Sequence, residues 1–355
     1  MKNGQDPNNK DQKKNDKEGQ LIDEIAADTV TLQDRRYPKP EPILRGVHPK
    51  SHGCLKGTFT INPDIPESLR VGLFAEPGKC HKAVVRYSNA AAIVACDLKD
   101  GKNGSRGMAI KVMDVGGKVL QKDGKGASQD FLMVNTPSFA FANVRDYHRL
   151  TKILLKDSDD PAAFFAPLQM EVPGITSEDK ARIVKSFQVV QEIAGKPVGN
   201  PLEVPYFGAA PFRFGPDRVM RFKAQPRVAP EPQTVPGDPV PCDYLNEVLT
   251  ARMAEGETVT FDFKLQVRDA DQVTDLDDAT SSWDETETPF VPVATLVLEA
   301  PQAEVNSDAQ RKTCEELVFT PWHALSEHEP LGGINRLRKK VYDASSEHRC
   351  PAKHA

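Results

Sequence analysis

The stretch TVTFDFKLQVRD, residues 258–269, constrains the fold more than any other part of this chain. Val259, Phe261, Phe263, Leu265 and Val267 fall on one side of an extended backbone. Thr260, Asp262, Lys264, Gln266 and Arg268 fall on the other. A period of two, with β-branched and aromatic residues on the apolar side, describes an antiparallel strand with one face in a core and the other facing out. Shorter runs of the same type recur earlier, as LKGTFTI, KAVVRYS, RGMAIKVM and DFLMVN, and once later, as PFVPVATLVLE. Glycine, lysine and aspartate separate them. Many short strands with turn residues between them suit an antiparallel sandwich or barrel.

Helical patterns stand between and around the strands. LIDEIAADTVTLQDRRYP predicts a helix that stops before Pro38. TSEDKARIVKSFQVVQEIAG has Thr176 or Ser177 as its cap, acidic residues in its first turn and Gly195 as its stop. Its apolar positions Ile183, Phe187, Val190 and Ala194 recur at helical spacing. VAPEPQTVPGDPVPC is too rich in proline for either regular element. The order β, α, β, α favours a sheet closed from distant segments, with helices outside it, over alternating βαβ units.

With 355 residues the chain can bury a large core, and its net charge of −5, with both signs interspersed, does not suit a nucleic-acid binder. No apolar run has the length of a membrane span. Residues 1–20 lack an apolar segment and predict a disordered tail, neither signal peptide nor anchor. Residues 21–355 are then read as one domain, with barrel strands over about 43–300, a helical insertion over about 144–196 and a last helix over about 335–349. Cys54, Cys80, Cys96, Cys242, Cys314 and Cys350 show no metal-binding spacing, so reduced thiols and a cytoplasmic location are expected. No Walker or Rossmann glycine pattern is present. His48 and His52 have the spacing of a zinc half-site, but Pro49 and Gly53 do not suit an undisturbed helix there.

The basic C-terminal stretch RLRKKVYDASSEHR places Arg338 four residues before Tyr342 and Arg349 seven after it. On a helix these share a face. By spacing alone this is a solvated basic helix with one amphipathic tyrosine. A guanidinium donating to the phenol would favour the phenolate, which can serve as an axial ligand of ferric haem.

Six segments, in order, resemble the haem catalases. ILRGVHPKSHGCLKGTFTI is similar to the segment that carries the distal histidine, with Arg45 and His48 in the matching places. VVRYSNA resembles the run that supplies a propionate-binding arginine, here Arg86, and a serine supporting the histidine, here Ser88. SRGMAIKVM resembles the strand that follows. DFLMVNTPSFAFANVRD resembles the segment of the distal asparagine, for which Asn135 is the candidate, although Val134 stands where catalases usually have a first asparagine. SSWDETETPFVPVATLVL and VFTPWHALSEHEPLGGINRLRKKVYDASSEHR resemble the last barrel segments and the proximal helix, with Asp343 instead of proline after Tyr342.

The chain resembles the catalase superfamily in its shorter branch of catalase-like haem peroxidases. That resemblance implies an α+β fold: an eight-stranded antiparallel β-barrel with peripheral and C-terminal helices around a buried haem b. It implies Tyr342 as the iron ligand steadied by Arg338, and Arg45, Arg86 and Arg349 on the propionates. It implies His48 as acid–base group, with Ser88 and Asn135 assisting, and Phe139 and Tyr147 as candidates for the pocket wall. The implied activity is catalase or peroxidase chemistry in an oxidative-stress setting. Its substrate is hydrogen peroxide or an organic or lipid hydroperoxide, with a small-molecule reductant as co-substrate and a homo-oligomeric assembly. The alternatives are a fatty-acid hydroperoxide isomerase of the allene oxide synthase type and a haem-binding protein without turnover. Val47 before His48 matches ordinary catalases, whereas the allene oxide synthases have threonine there.

Overall fold

Val259–Asp269 is a strand of eleven residues, and Val259, Phe261, Phe263 and Leu265 are buried in turn. The alternation fails at its far end. Gln266 is buried in place of Val267, because its amide donates to the carbonyls of Trp283 at 3.2 Å and Thr288 at 2.6 Å. A buried amide is tolerated when its hydrogen bonds are made.

The computed structural model describes residues 7–99, 102–122, 126–228, 233–235, 237, 239–302 and 304–350. Eight strands form the main sheet: β1 (Ser51–Ile61), β2 (Cys80–Asn89), β3 (Arg106–Met113), β4 (Ser128–Val134), β5 (Tyr206–Phe207), β6 (Arg218–Pro226), β7 (Val259–Asp269) and β8 (Val291–Leu298). Each pairs antiparallel with the next, and β8 returns to β1, with Thr58 opposite Val297. The result is a closed up-and-down barrel of eight strands. Closure leaves no free edge in the ring. A short strand, Phe212–Arg213, adds to the side of β6.

Eight strands enclose a space that side chains can fill. Here Phe59, Phe131, Phe222 and Phe263 fill it, with ring centroids 4.5 Å apart for Phe131 and Phe263 and 5.0 Å apart for Phe131 and Phe222. All four are fully buried. Each such ring stabilises the fold by about 2–3 kcal/mol on burial. A site for a large ligand must therefore lie outside the barrel wall.

Among the described residues six helices surround the barrel: α1 (Pro7–Arg36), α2 (Val144–Lys156), α3 (Ser177–Gly195), α4 (Tyr244–Ala254), α5 (Asp308–Glu316) and α6 (Gly332–Arg349). α1 packs on α2 and α6. The segment read as a disordered tail is helical from Pro7 onward, and residues 1–6 lie outside the described residues. α3 starts at a capping box in which Thr176 Oγ1 accepts from Asp179 N at 3.1 Å. On α3 Ile183 is buried, but Phe187 lies exposed at the surface. None of the helices among the described residues is long and apolar enough to cross a membrane.

The cysteines depart from the expectation of reduced thiols. Cys54 is bonded to Cys314 and Cys96 to Cys242, across 260 and 146 residues of sequence. Such pairs leave no spacing signal, because only the folded chain brings residues so far apart in sequence together. Cys80 and Cys350 are free.

Candidate functional site

Side chains alternate along β2, β3 and β4, so one half of each strand faces out from the barrel. Register sets the outward residues in rows. Arg86 stands opposite Ala109, and Ala109 opposite Leu132. One step along, Ser88 stands opposite Gly107, and Gly107 opposite Val134. These six residues form one wall of a cavity. Arg338, Val341, Tyr342, Ser345 and Arg349 of α6 form another. Arg45–His48, Val318–Phe319 and Phe139 also line it. The space amounts to about 820 Å³, part of it open to solvent.

His48 comes from the loop before β1, and its backbone is left-handed, with φ +57°. Such a conformation is uncommon for a residue with a side chain and costs on the order of 1–3 kcal/mol. Two bonds hold it: His48 N donates to Ala91 O at 3.1 Å, and Arg86 Nη2 donates to His48 O at 3.0 Å. The imidazole then lies against Gly107, and its Nδ1 meets Ser88 Oγ at 3.0 Å. A Cβ on Gly107 would come within 2.5 Å of Nδ1. The interior glycine of β3 is what admits the ring. Burial, then the charges of Arg86, Arg338 and Arg45, pull the pKa of His48 down to about 3. The imidazole is therefore neutral over the physiological range.

At one end of the cavity three guanidiniums surround one carboxylate. Glu315, at the end of α5, has Oε1 3.1 Å from Arg86 Nη2 and Oε2 3.2 Å from Arg45 Nε and 3.7 Å from Arg349 Nη1. Arg45 also donates to the carbonyls of Cys314 and Leu317. Burial would raise the pKa of Glu315, but Arg45, Arg86 and Arg349 outweigh it and hold the carboxyl below its ordinary value. Three cations against one anion leave an excess of positive charge. Among the described residues, buried Arg349 Nε has no acceptor, and Arg45 Nε and Arg349 Nη1 have the ion-pair contact with Glu315 but no well-aligned hydrogen bond. Buried donors without partners are costly, and an anionic ligand would satisfy them.

Tyr342 projects from α6 into the same cavity. Arg338 lies over its ring, 5.5 Å from the centroid, and is 5.6 Å from that of Phe139. The guanidinium donates to Asn335 Oδ1 at 3.2 Å. Its place is the ring face, and the expected bond to the phenol oxygen is not among its contacts in the described residues. The cavity thus combines apolar walls, a phenol, a neutral imidazole and a cationic end. Such a lining suits an apolar ligand that carries anionic groups.

Two expected site residues lie elsewhere. Asn135 follows Val134 at the end of β4, so strand alternation turns it away from the cavity. Its Oδ1 accepts from Arg106 N at 2.7 Å and Ser105 Oγ at 3.3 Å, and Val134 lines the cavity instead. Tyr147, on α2, packs between two apolar clusters, apart from the lining, and burial pushes its pKa up to about 12. His48 and His52 also part: His52 Nε2 pairs with Asn89 Oδ1 at 2.9 Å, inside the wall. Glu315 and Gly107 were not anticipated, while Val134 was noted only as a departure from the asparagine usual at its place; Gly107 left a signal as a glycine inside a strand pattern.

No family model and no curated protein matches this sequence. Its fold does match solved structures. A bacterial catalase aligns with a TM-score of 0.63 at 18% identity, over 88% of this chain and 58% of that one. A fungal catalase aligns with a TM-score of 0.65 at 16% identity, over 88% of this chain and 60% of that one. Catalase A from Saccharomyces cerevisiae aligns with a TM-score of 0.66 at 16% identity, over 89% and 63%. The chain therefore spans about three fifths of the length of these catalases. What it shares with them is the catalase-like fold, a closed barrel of eight antiparallel strands with flanking helices.

Proposed function

We propose that this protein is a haem-dependent hydroperoxidase that acts on hydrogen peroxide or organic hydroperoxides. One observation supports the reading above others: a neutral imidazole backed by a serine, a phenol on a helix and a cluster of three arginines all line a single cavity. Tyr342 would hold the iron of haem b through its phenolate, with the Arg338 cation close to the ring. Arg45, Arg86 and Arg349 would hold the propionates, with Arg349 Nε, which has no hydrogen-bond acceptor among the described residues, as one donor to spare. Bound haem supplies the two-electron chemistry that cleaves the O–O bond.

His48 does the proton work. Ser88 Oγ fixes Nδ1, leaving Nε2 to take the hydroxyl proton of the peroxide and return it to the departing oxygen. In balance, ROOH with two electrons and two protons gives ROH and water. The electrons come from a second peroxide, with release of O2, or from a small-molecule reductant. Acid–base assistance of this kind contributes roughly 10²–10⁴-fold in rate.

The test is reconstitution of the full chain with haem. The native protein should take up haem and consume peroxide, and Tyr342→Phe should change its absorption spectrum. His48→Ala should keep the pigment and lose most of the turnover. A protein that stays colourless with haem, or a Tyr342→Phe spectrum identical to the native one, overturns the proposal. Oxygen release measured beside oxidation of a phenolic donor separates dismutation from peroxidation.

A further inference from the structure

We infer that Val134 selects the substrate class, favouring alkyl hydroperoxides over hydrogen peroxide. The inference rests on the hydroperoxidase reading and refines it.

Ser88, Gly107 and Val134 stand abreast on three adjacent strands and face the same way. Neighbouring strands are about 4.8 Å apart, so the space above the bare Gly107 is flanked by the other two side chains. On one flank Ser88 is engaged with His48 Nδ1, and the imidazole fills the area above Gly107. On the other flank is the isopropyl group of Val134. The amide of Asn135 is turned away and held by Arg106 N and Ser105 Oγ. A ligand seated beside the imidazole therefore meets His48 Nε2 on one side and a hydrocarbon wall on the other.

Hydrogen peroxide carries two hydroxyl groups. With one on Nε2, the other faces Val134 with no partner, and an unpaired polar group in a closed site weakens binding. An alkyl hydroperoxide has a single hydroxyl for Nε2, and its alkyl group takes the place against Val134. Sites that leave a substrate hydroxyl unpaired discriminate against it more sharply than sites that differ only in apolar volume.

The experiment uses the haem-loaded full chain, with Val134→Asn and the near-isosteric Val134→Thr beside it. kcat/KM is measured for cumene hydroperoxide and for hydrogen peroxide with one phenolic donor. Cyanide, whose free end accepts a hydrogen bond, is titrated by absorption as a readout independent of turnover. The native protein should favour cumene hydroperoxide by about tenfold or more. The polar variants should move that ratio toward hydrogen peroxide by about ten- to a hundredfold and tighten cyanide by about tenfold. A native preference for hydrogen peroxide overturns the inference. So does a pair of variants that bind haem yet shift neither the ratio nor the cyanide affinity. A loaded native protein that reacts with neither peroxide overturns the hydroperoxidase reading and this inference with it.

Discussion

Glu315 Oε1 lies 3.1 Å from Nη2 of Arg86, although 229 residues separate the two in sequence. The same carboxylate faces Arg45 and Arg349, so one anion moderates three buried cations drawn from a loop, a strand and a helix. Glu315→Gln removes that anion and keeps the volume. Breaking a buried ion pair from one side costs about 3–5 kcal/mol. Because the Glu315 side chain is 30% exposed, about 2 kcal/mol is expected in urea unfolding of the haem-free protein. Haem affinity should move the other way and rise about fivefold or more, since the cluster then faces the propionates with one more unit of positive charge. Transfer of haem to an excess of acceptor protein measures it.

Gly107→Ala places a methyl group 2.5 Å from His48 Nδ1 and 2.8 Å from Ser88 Oγ. The imidazole must move and the Ser88 bond must break. Peroxide turnover should fall about a hundredfold, the lower range of what a placed acid–base group contributes. Circular dichroism and haem content should stay near native, because the change is confined to the outer face of the barrel.

His328 predicts a sensitivity to acid. It is fully buried between Phe74 and Phe214, and its Nε2 accepts from Leu73 N at 3.1 Å, a role that requires the neutral ring. Burial pushes its pKa down to about 4. The unfolded chain takes up a proton near pH 6.5 that the folded chain refuses until about pH 4. Stability therefore declines as pH falls through that interval, by about 1.4 kcal/mol per pH unit. His328→Gln keeps an acceptor and does not titrate. Between pH 7 and pH 5 the native protein should lose about 2 kcal/mol more than the variant, read from urea midpoints.

The Cys54–Cys314 bond joins β1 to α5 across 260 residues. Cys54→Ser with Cys314→Ser should lower stability by about 2–5 kcal/mol, the range for a native bond that closes a long loop. Haem affinity should fall as well, because Cys314 precedes Glu315 and its carbonyl accepts from Arg45. Equal haem affinity in the native and doubly substituted proteins would contradict that coupling.

Local chemistry made part of this molecule legible. The alternation over Val259–Asp269 specified a half-buried strand, and the four-residue step from Arg338 to Tyr342 put both on one helix face and into one cavity. The misreadings came from geometry that no local pattern encodes. Val134, not Asn135, holds the outward position beside Gly107, because a strand presents alternate residues to one face. Glu315 has no spacing relation to Arg45 or Arg86, and the disulfides join cysteines that only the tertiary fold brings near. The helix that begins at Pro7 runs to Arg36 and packs on α2 and α6, an arrangement that the polar composition of its first residues does not announce.

The row of Ser88, Gly107 and Val134 also governs how the molecule comes to possess a cavity at all. If β3 slipped by a single position against its neighbours, Arg106 or Met108 would replace the glycine and every side chain in the strand would change faces. No partly zipped ring can host a bound guest. Competence to take up a ligand must switch on together with the final pairing of strands, so amide exchange in β2 to β4 and ligand uptake should appear in the same kinetic phase of refolding.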